Sequence, residues 1–272
     1  ESLRIDDEIW GHTRWSKVVN TWEKGSLPTY RIGLNNGSSV RLTPDHKLWV
    51  YRCAKHHEIN SKCGCRHDER ELVRMHVREV KVGTLLPQPT RIPFGTGTMD
   101  SGRALIEGLY LSDGWNQSTR FAISGKDGCP KEAQKREVES ICKRLGVTTR
   151  WAKKYIAINN AQWAKRLAQM GTHAPQKHAL SIDFEERAAL NLLRGILADS
   201  GKNTNGTGST FTSTSRELML QTRVLLKMEG LTCSERYIVD HGGLGTHPIH
   251  RLGIREKVRG DGKALRMLRV KE

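Results

Sequence analysis

The feature that most constrains the fold is a segment that occurs twice. Leu105-Ile-Glu-Gly-Leu-Tyr-Leu-Ser-Asp-Gly114 resembles Leu192-Leu-Arg-Gly-Ile-Leu-Ala-Asp-Ser-Gly201. Each copy is followed by a polar loop, a strand pattern, an amphipathic helix and a glycine-plus-apolar stop. That stop is Lys143-Arg-Leu-Gly-Val147 in one copy and Lys227-Met-Glu-Gly-Leu231 in the other. The intervals from Gly108 to Gly146 and from Gly195 to Gly230 are nearly equal. Recurrence of this kind means two copies of one supersecondary unit, each burying its apolar face against the other.

Both segments read as helices with small or short residues four apart, Gly108 and Ser112 in the first and Gly195 and Asp199 in the second. Residues so spaced share a helix face, so the two helices can approach closely along a pseudo-twofold seam with their C-terminal ends side by side. Each ends at a glycine, Gly114 or Gly201, where a left-handed cap is expected. Asp113 then faces the negative end of the helix macrodipole, at a cost of a few tenths to about 1 kcal/mol. A bound cation is the simplest offset, and two carboxylates meeting at a seam repel each other more strongly without one. With Mg2+, or Mn2+ or Ca2+ in its place, such a pair can activate water and stabilise charge on a phosphodiester under attack. Counting from the motif glycines puts Ser200 at the place of Asp113, with Asp199 one residue earlier. One residue turns a helical side chain by about 100°, so Asp199 reaches the same point only if the helix end is distorted.

Hydrophobic periodicity predicts further helices over 131–145, 160–170 and 215–229, and motif helices over 103–112 and 184–198. In the first of these, Val138, Ile141, Cys142 and Leu145 face inward. Strands are expected over 120–124, 155–158, 209–213, 237–240 and 250–254. The first ninety residues are β-rich, with strand patterns at 15–22, 29–34, 39–43 and 47–51 and a tight turn at Asn35-Asn-Gly37. Pro87, Pro89, Pro93 and Phe94-Gly-Thr-Gly-Thr98 mark a boundary. The expectation is an α+β chain with a β-rich region over 1–92 and a duplicated domain over 99–258, divided into repeats 101–183 and 184–258.

Lys and Arg number 45 against 29 Asp and Glu, a net charge of +16. An excess of that size points to a polyanionic partner, most often nucleic acid. The polar stretches after each motif helix carry side chains able to pair with phosphates and base edges in a major groove. They are Trp115, Asn116, Gln117, Arg120 and Lys126 in the first copy, and Lys202, Asn203, Asn205, Thr212 and Thr214 in the second. No apolar run approaches the ~20 residues that cross a bilayer, and Glu1 to Asp7 has no signal-peptide core. A cytoplasmic protein with no membrane partner is expected. Cys53, Cys63 and Cys65 cluster in an insertion over 52–68 and, with His67, offer a tetrahedral Zn2+ site that would stiffen it. His56 and His57 are possible substitutes.

The paired motif resembles that of the LAGLIDADG homing endonucleases in their single-chain, two-repeat form. The resemblance implies saddle-shaped antiparallel sheets, a monomer, a long asymmetric site on double-stranded DNA and metal-dependent hydrolysis. Asp113 falls on the family's metal-binding acid. Lys177, in Ala174-Pro-Gln-Lys-His-Ala-Leu180, matches the basic residue near the scissile phosphate in intein-borne members, with Lys263 as its second-copy counterpart. Ser200 departs from the pattern. The departure implies nicking, weakened cutting by way of Asp199, or DNA binding without catalysis.

A second resemblance, carried by Trp22 to Ile32 and Gly37 to Val50 and covering residues 15 to 90, is to inteins and hedgehog-type Hint domains. There Thr43 and His46 would lie near a splice junction, where the histidine distorts the scissile amide and the hydroxyl orients it. Residues 259–272 would return to that region. Splicing also needs a Cys or Ser nucleophile at the first residue and a His-Asn ending, whereas the sequence opens Glu1-Ser2 and closes Val270-Lys-Glu272. The chain alone is therefore not expected to splice: it reads as the larger piece of a split or trimmed intein that needs complementary fragments, or as a nuclease keeping a vestigial Hint wall as extra DNA-binding surface. A bacterial or phage origin is implied.

Overall fold

The computed structural model describes residues 3–10, 15–57, 59, 69–117, 119–124, 131–202, 208–239, 247–255 and 265–271, with backbone alone at 10, 15, 131, 202, 255 and 265–271. The fold is mixed α+β, and its sheets are antiparallel. Among the described residues no helix is long and apolar enough to cross a membrane.

The first region opens with a ribbon of β1 (Glu8–Trp10) and β2 (Trp15–Lys17). The strand expected as far as Trp22 stops early, because its apolar residues find no surface to bury against. Val19 and Trp22 are largely exposed. Strands β3 (Tyr30–Leu34) and β4 (Ser39–Leu42) form a hairpin whose turn holds Gly37 at φ 84°, as the Asn-Asn-Gly sequence requires. Then come β5 (Lys47–Cys53), β6 (Arg70–His76) and β7 (Leu85–Pro89). Ile32, Val50, Val77 and Leu86 form a small core on one face.

The duplicated domain follows. Its first repeat runs α1 (Ser101–Asp113), β8 (Gly114–Gln117), β9 (Arg120–Ser124), α2 (Lys131–Arg144), β10 (Thr148–Ala152), β11 (Tyr155–Asn159) and α3 (Ala161–Gln169). The second runs α4 (Glu186–Ile196), β12 (Gly201–Lys202), β13 (Gly208–Ser213), α5 (Arg216–Met228), β14 (Thr232–Ile238) and β15 (Ile249–Arg255). The sheets are ordered β10-β11-β9-β8 and β12-β13-β15-β14. Counted within each repeat, both run third, fourth, second, first, read from opposite edges. Phe121, Ile156 and Ile158 of one sheet and Phe211, Leu252 and Ile254 of the other point into one continuous core around α1 and α4. Val138 and Cys142 of α2 are fully buried in it, with Ile141 packed beside them. The polar stretch after Asp113 is strand β8 rather than a loop, because its backbone pairs with β9.

Strand β16 (Leu265–Lys271) lies between β3 and β7, giving a six-stranded sheet ordered β4-β3-β16-β7-β5-β6. This region docks on the second repeat through the β3–β4 turn, where the Glu235 amide donates to the Asn36 carbonyl at 2.8 Å. A Cβ on Gly37 would stand 1.9 Å from the Glu235 carbonyl oxygen. Lys227 Nζ donates to the Pro89 carbonyl at 3.0 Å, and Arg91 Nε to that of Met228 at 2.7 Å.

Candidate functional site

Helices α1 and α4 meet glycine to glycine. A Cβ on Gly108 would stand 2.2 Å from the Leu192 carbonyl oxygen, and one on Gly195 would stand 2.5 Å from that of Leu105. No side chain fits at either place, which is why the motif keeps glycine there. Leu105, Leu109, Leu192 and Ile196 are buried in the same core.

The two helix ends differ. Helix α1 stays α-helical through Asp113 and passes straight into β8, with Gly114 extended at φ −93° and ψ 157°. The left-handed cap expected there is absent, and Gly201 lacks one too. Gly114 is required for a different reason, since a Cβ would lie 2.6 Å from the Tyr110 Cα. Gly201 has open space around it. Helix α4 stops at Ile196 and tightens into a 3-10 turn over Leu197–Asp199, after which Ser200 is extended. A 3-10 turn rotates about 120° per residue instead of about 100°, so the helix end is indeed distorted before Asp199. Ser112 Oγ donates across the seam to Asp199 Oδ2 at 2.6 Å. The two positions four residues past each motif glycine therefore bond to one another.

Beneath these ends lies Lys177, which is 6% exposed. Its ammonium donates to the carbonyls of Tyr110 at 2.6 Å and Gly114 at 2.8 Å, and sits 5.1 Å from the centre of the Tyr110 ring. Burial pulls its pKa down to about 8, against the opposing pull of Asp113 and Asp199. Both carboxylates are thus near enough to act on one buried charge. Lys177 also supplies part of the cationic offset that a helix ending in Asp113 needs, because it sits on the last carbonyls of α1. The peptide carrying it is fixed by Ser215, whose Oγ donates to the Lys177 carbonyl at 2.5 Å and accepts the Leu218 amide as N-cap of α5. Gly171, at φ 93°, lets the preceding turn fold back, and the Tyr110 hydroxyl donates to its carbonyl at 3.0 Å. Burial pushes the Tyr110 pKa up to about 12.

Asp113 and Asp199 are exposed, and both are hard oxygen donors. That chemistry suits a divalent cation that keeps several waters while taking one or two carboxylates. Among the described residues no group of three or more His, Cys, Asp and Glu side chains gathers, so a cation here would rest on these two and on water.

Each sheet has an outer face turned away from the helices. On the first, alternation puts Trp115, Gln117, Arg120 and Arg150 outward. Trp115 packs edge-on against Tyr155, with centroids 5.1 Å apart, and Arg120 donates to Gln117. On the second, Thr212, Arg251 and Arg236 stand in one cross-strand row. Like charges directly opposite one another destabilise a sheet, and a polyanion laid on the face would relieve that repulsion. Two expected DNA contacts do not face this way. Asn116 points toward the helices and donates to the Ala164 carbonyl at 2.5 Å, because strand alternation turns it opposite to Trp115 and Gln117. Thr214 lies past the end of β13, with its hydroxyl buried. Arg150, Arg236 and Arg251 were missed, although period-two alternation in Thr148–Ala152, Thr232–Ile238 and Ile249–Arg255 would have found them. Lys126, Asn203, Asn205 and Lys263 lie outside the described residues, as does the side chain of Lys202.

In the first region Thr43 and His46 stand at the two ends of one turn, where the His46 amide donates to the Thr43 carbonyl at 3.1 Å and His46 is exposed. Cys53 is buried at the end of β5, with His56 Nδ1 3.5 Å from its sulfur. Cys63, Cys65 and His67 lie outside the described residues.

No family model and no curated protein matches the chain. Its structural neighbours are LAGLIDADG proteins. The crystal structure of I-DmoI in complex with DNA and Mn is 15% identical, with 57% of this chain and 89% of that chain covered, at a TM-score of 0.39. The complex of I-DmoI with DNA and Ca is 14% identical, with 57% and 83% covered, at a TM-score of 0.41. The N-terminal LAGLIDADG domain of DUF199/WhiA is 13% identical, with 60% and 79% covered, at a TM-score of 0.38. Likenesses this distant carry no function across to this chain.

Proposed function

We propose that this chain is a divalent-metal-dependent DNA endonuclease of the LAGLIDADG type. It lays the outer faces of its two sheets on duplex DNA and hydrolyses a phosphodiester at the joined C-terminal ends of α1 and α4. One observation carries the reading: Asp113 closes α1, and Asp199, at the end of the 3-10 turn that follows α4, is held by Ser112 across the glycine-to-glycine seam. These two carboxylates would hold the cation, which when bound lowers the pKa of water and neutralises charge developing on the phosphate. The chain's own contribution is positional. Ser112 fixes Asp199, and Lys177 fixes the end of α1 while holding a positive charge beneath the phosphate. The unequal ends, with Ser200 in place of a second acid, favour cutting one strand. The test is a supercoiled plasmid bearing a site selected by binding from a random library, incubated with Mg2+. Open circles are expected, and they are lost in Asp113→Asn. Linear product would overturn single-strand cutting. Tight, salt-sensitive binding without cleavage would leave a DNA-binding protein and remove the enzyme.

A second reading concerns the first region. Strand β16 completes a sheet begun by residues 30–89, and this insertion-like arrangement supports a partial Hint region that needs complementary fragments to splice. Mixing the chain with synthetic end fragments should yield ligated product by mass spectrometry, and Thr43→Ala or His46→Ala should reduce it. Zinc at the Cys-rich insertion, held by Cys53, Cys63, Cys65 and His67 with His56 as a substitute, is part of this reading. Metal analysis of the purified chain and of Cys53→Ser tests it, and equal zinc in both would remove the site.

A further inference from the structure

On the helical side of the first repeat, away from the outer face of its sheet, a carboxylate is buried between two arginines. Glu107 of α1 is 4% exposed. Its Oε1 accepts Arg103 Nε at 3.2 Å and Arg166 Nε at 2.8 Å, the latter from α3. A buried carboxylate needs such partners. Their arrangement has a consequence for the arginines too. Each guanidinium is anchored through its Nε edge, so its terminal N–H groups are presented as a fixed fork. Among the described residues these two side chains make no further ion pair, and Arg103 lies over the Trp163 ring at 5.7 Å.

The forks open into a cleft of about 310 Å3 lined by Arg103, Gln162, Trp163, Lys165, Arg166 and Gln169. Helix α3 supplies the residues at 162, 165, 166 and 169, a single face at helical spacing that carries only amides and cations. Counting Arg103, Arg166 and Lys165 against Glu107 leaves two positive charges. The second repeat does not repeat this. The position matching Glu107 is Arg194, which pairs with Glu137 of α2. The cleft is therefore no part of the duplicated surface turned toward a duplex.

We propose that this cleft is a binding site for a phosphate group, separate from the site at Asp113. Two anchored guanidiniums and an ammonium match a dianionic phosphate in charge and in bidentate geometry. The group arrives either on a small phosphate ester or on a second nucleic-acid segment.

The test is titration of the full chain with inorganic phosphate, a nucleoside monophosphate and a short single-stranded oligonucleotide, followed by tryptophan emission, with Trp163→Phe identifying the reporting indole. Lys165→Glu and Arg103→Gln should each weaken binding about tenfold or more, the range of a charge-assisted hydrogen bond. Lys165 is exposed, so its variant tests the site without disturbing the Glu107 anchor. Saturation by phosphate or the monophosphate assigns a free phosphate ester, whereas saturation by the oligonucleotide alone assigns a nucleic-acid backbone. Binding of none of the three, or binding unchanged in both variants, overturns the site. Asp113→Asn should leave this titration intact and Lys165→Glu should leave plasmid cleavage intact, so failure of either function is read separately from the other.

Discussion

The two repeats share strand order and the glycine contact, yet their helix ends have diverged. In the first, α1 runs straight into β8 and carries Asp113 on its last turn. In the second, α4 breaks into a 3-10 turn, offers Asp199 to Ser112 and leaves Ser200 at the acid position. The glycines cannot change because each lies against the other helix's backbone, whereas the residues beyond them meet solvent and can drift. Packing has held the duplication in place where chemistry has not.

The largest effect should come from attacking what the repeats share. Gly108→Val would drive a branched side chain into the Leu192 carbonyl, already 2.2 Å from a bare Cβ. A loss of about 3 kcal/mol or more is expected, read by urea denaturation, and an unchanged midpoint would mean that the helices are not packed this way. The next tests exploit the difference. Gly114→Ala should cost about 1–3 kcal/mol through its clash with Tyr110. Gly201→Ala, in open space and without positive φ, should stay within about 0.5 kcal/mol of the parent. Equal effects would erase the asymmetry of the two ends.

A third test uses pH. The Lys177 pKa is lowered to about 8, below the ordinary lysine value of about 10.4. The unfolded chain then binds more protons between these values, so the stability of the folded form rises as pH increases through that window. Compared with Lys177→Met, the parent's denaturation midpoint should climb between pH 8 and 10, and parallel curves would place the lysine in solvent. A modest effect is expected at the seam itself. Ser112→Ala removes the bond to Asp199 and should cost about 1 kcal/mol.

The duplication, the glycine seam and the place of Asp113 at the end of its helix were legible because they depend on residue type at fixed helical spacing. Lys177 was legible only through resemblance. Nothing in its local sequence says that it is buried, since the groups that bury it, Tyr110 and Gly114, lie more than sixty residues away. The glycine caps were misread for a simple physical reason. A glycine can mark either a left-handed backbone or a close approach, and sequence does not separate the two. Asn116 and the missed Arg150 have a related cause, because a side chain's face follows from strand alternation and β8 and β10 were not recognised as strands. Arg236 and Arg251 lie on β14 and β15 and needed only the alternation to be carried along those strands. The Ser112–Asp199 bond could have been anticipated, because a twofold seam brings matching positions together.

The place of β16 has a consequence in time. Strands β3 and β7 are separated in the finished sheet by β16, so neither has its final neighbour until the chain has passed through the whole duplicated domain. Contacts between such distant parts of a sequence form slowly, because a long loop must close before they are rewarded. On the ribosome the duplicated domain can therefore collapse around α1 and α4 first. The opening hairpins must wait with their pairing edges uncovered, and in that interval the nascent chain is most open to pairing with a neighbour.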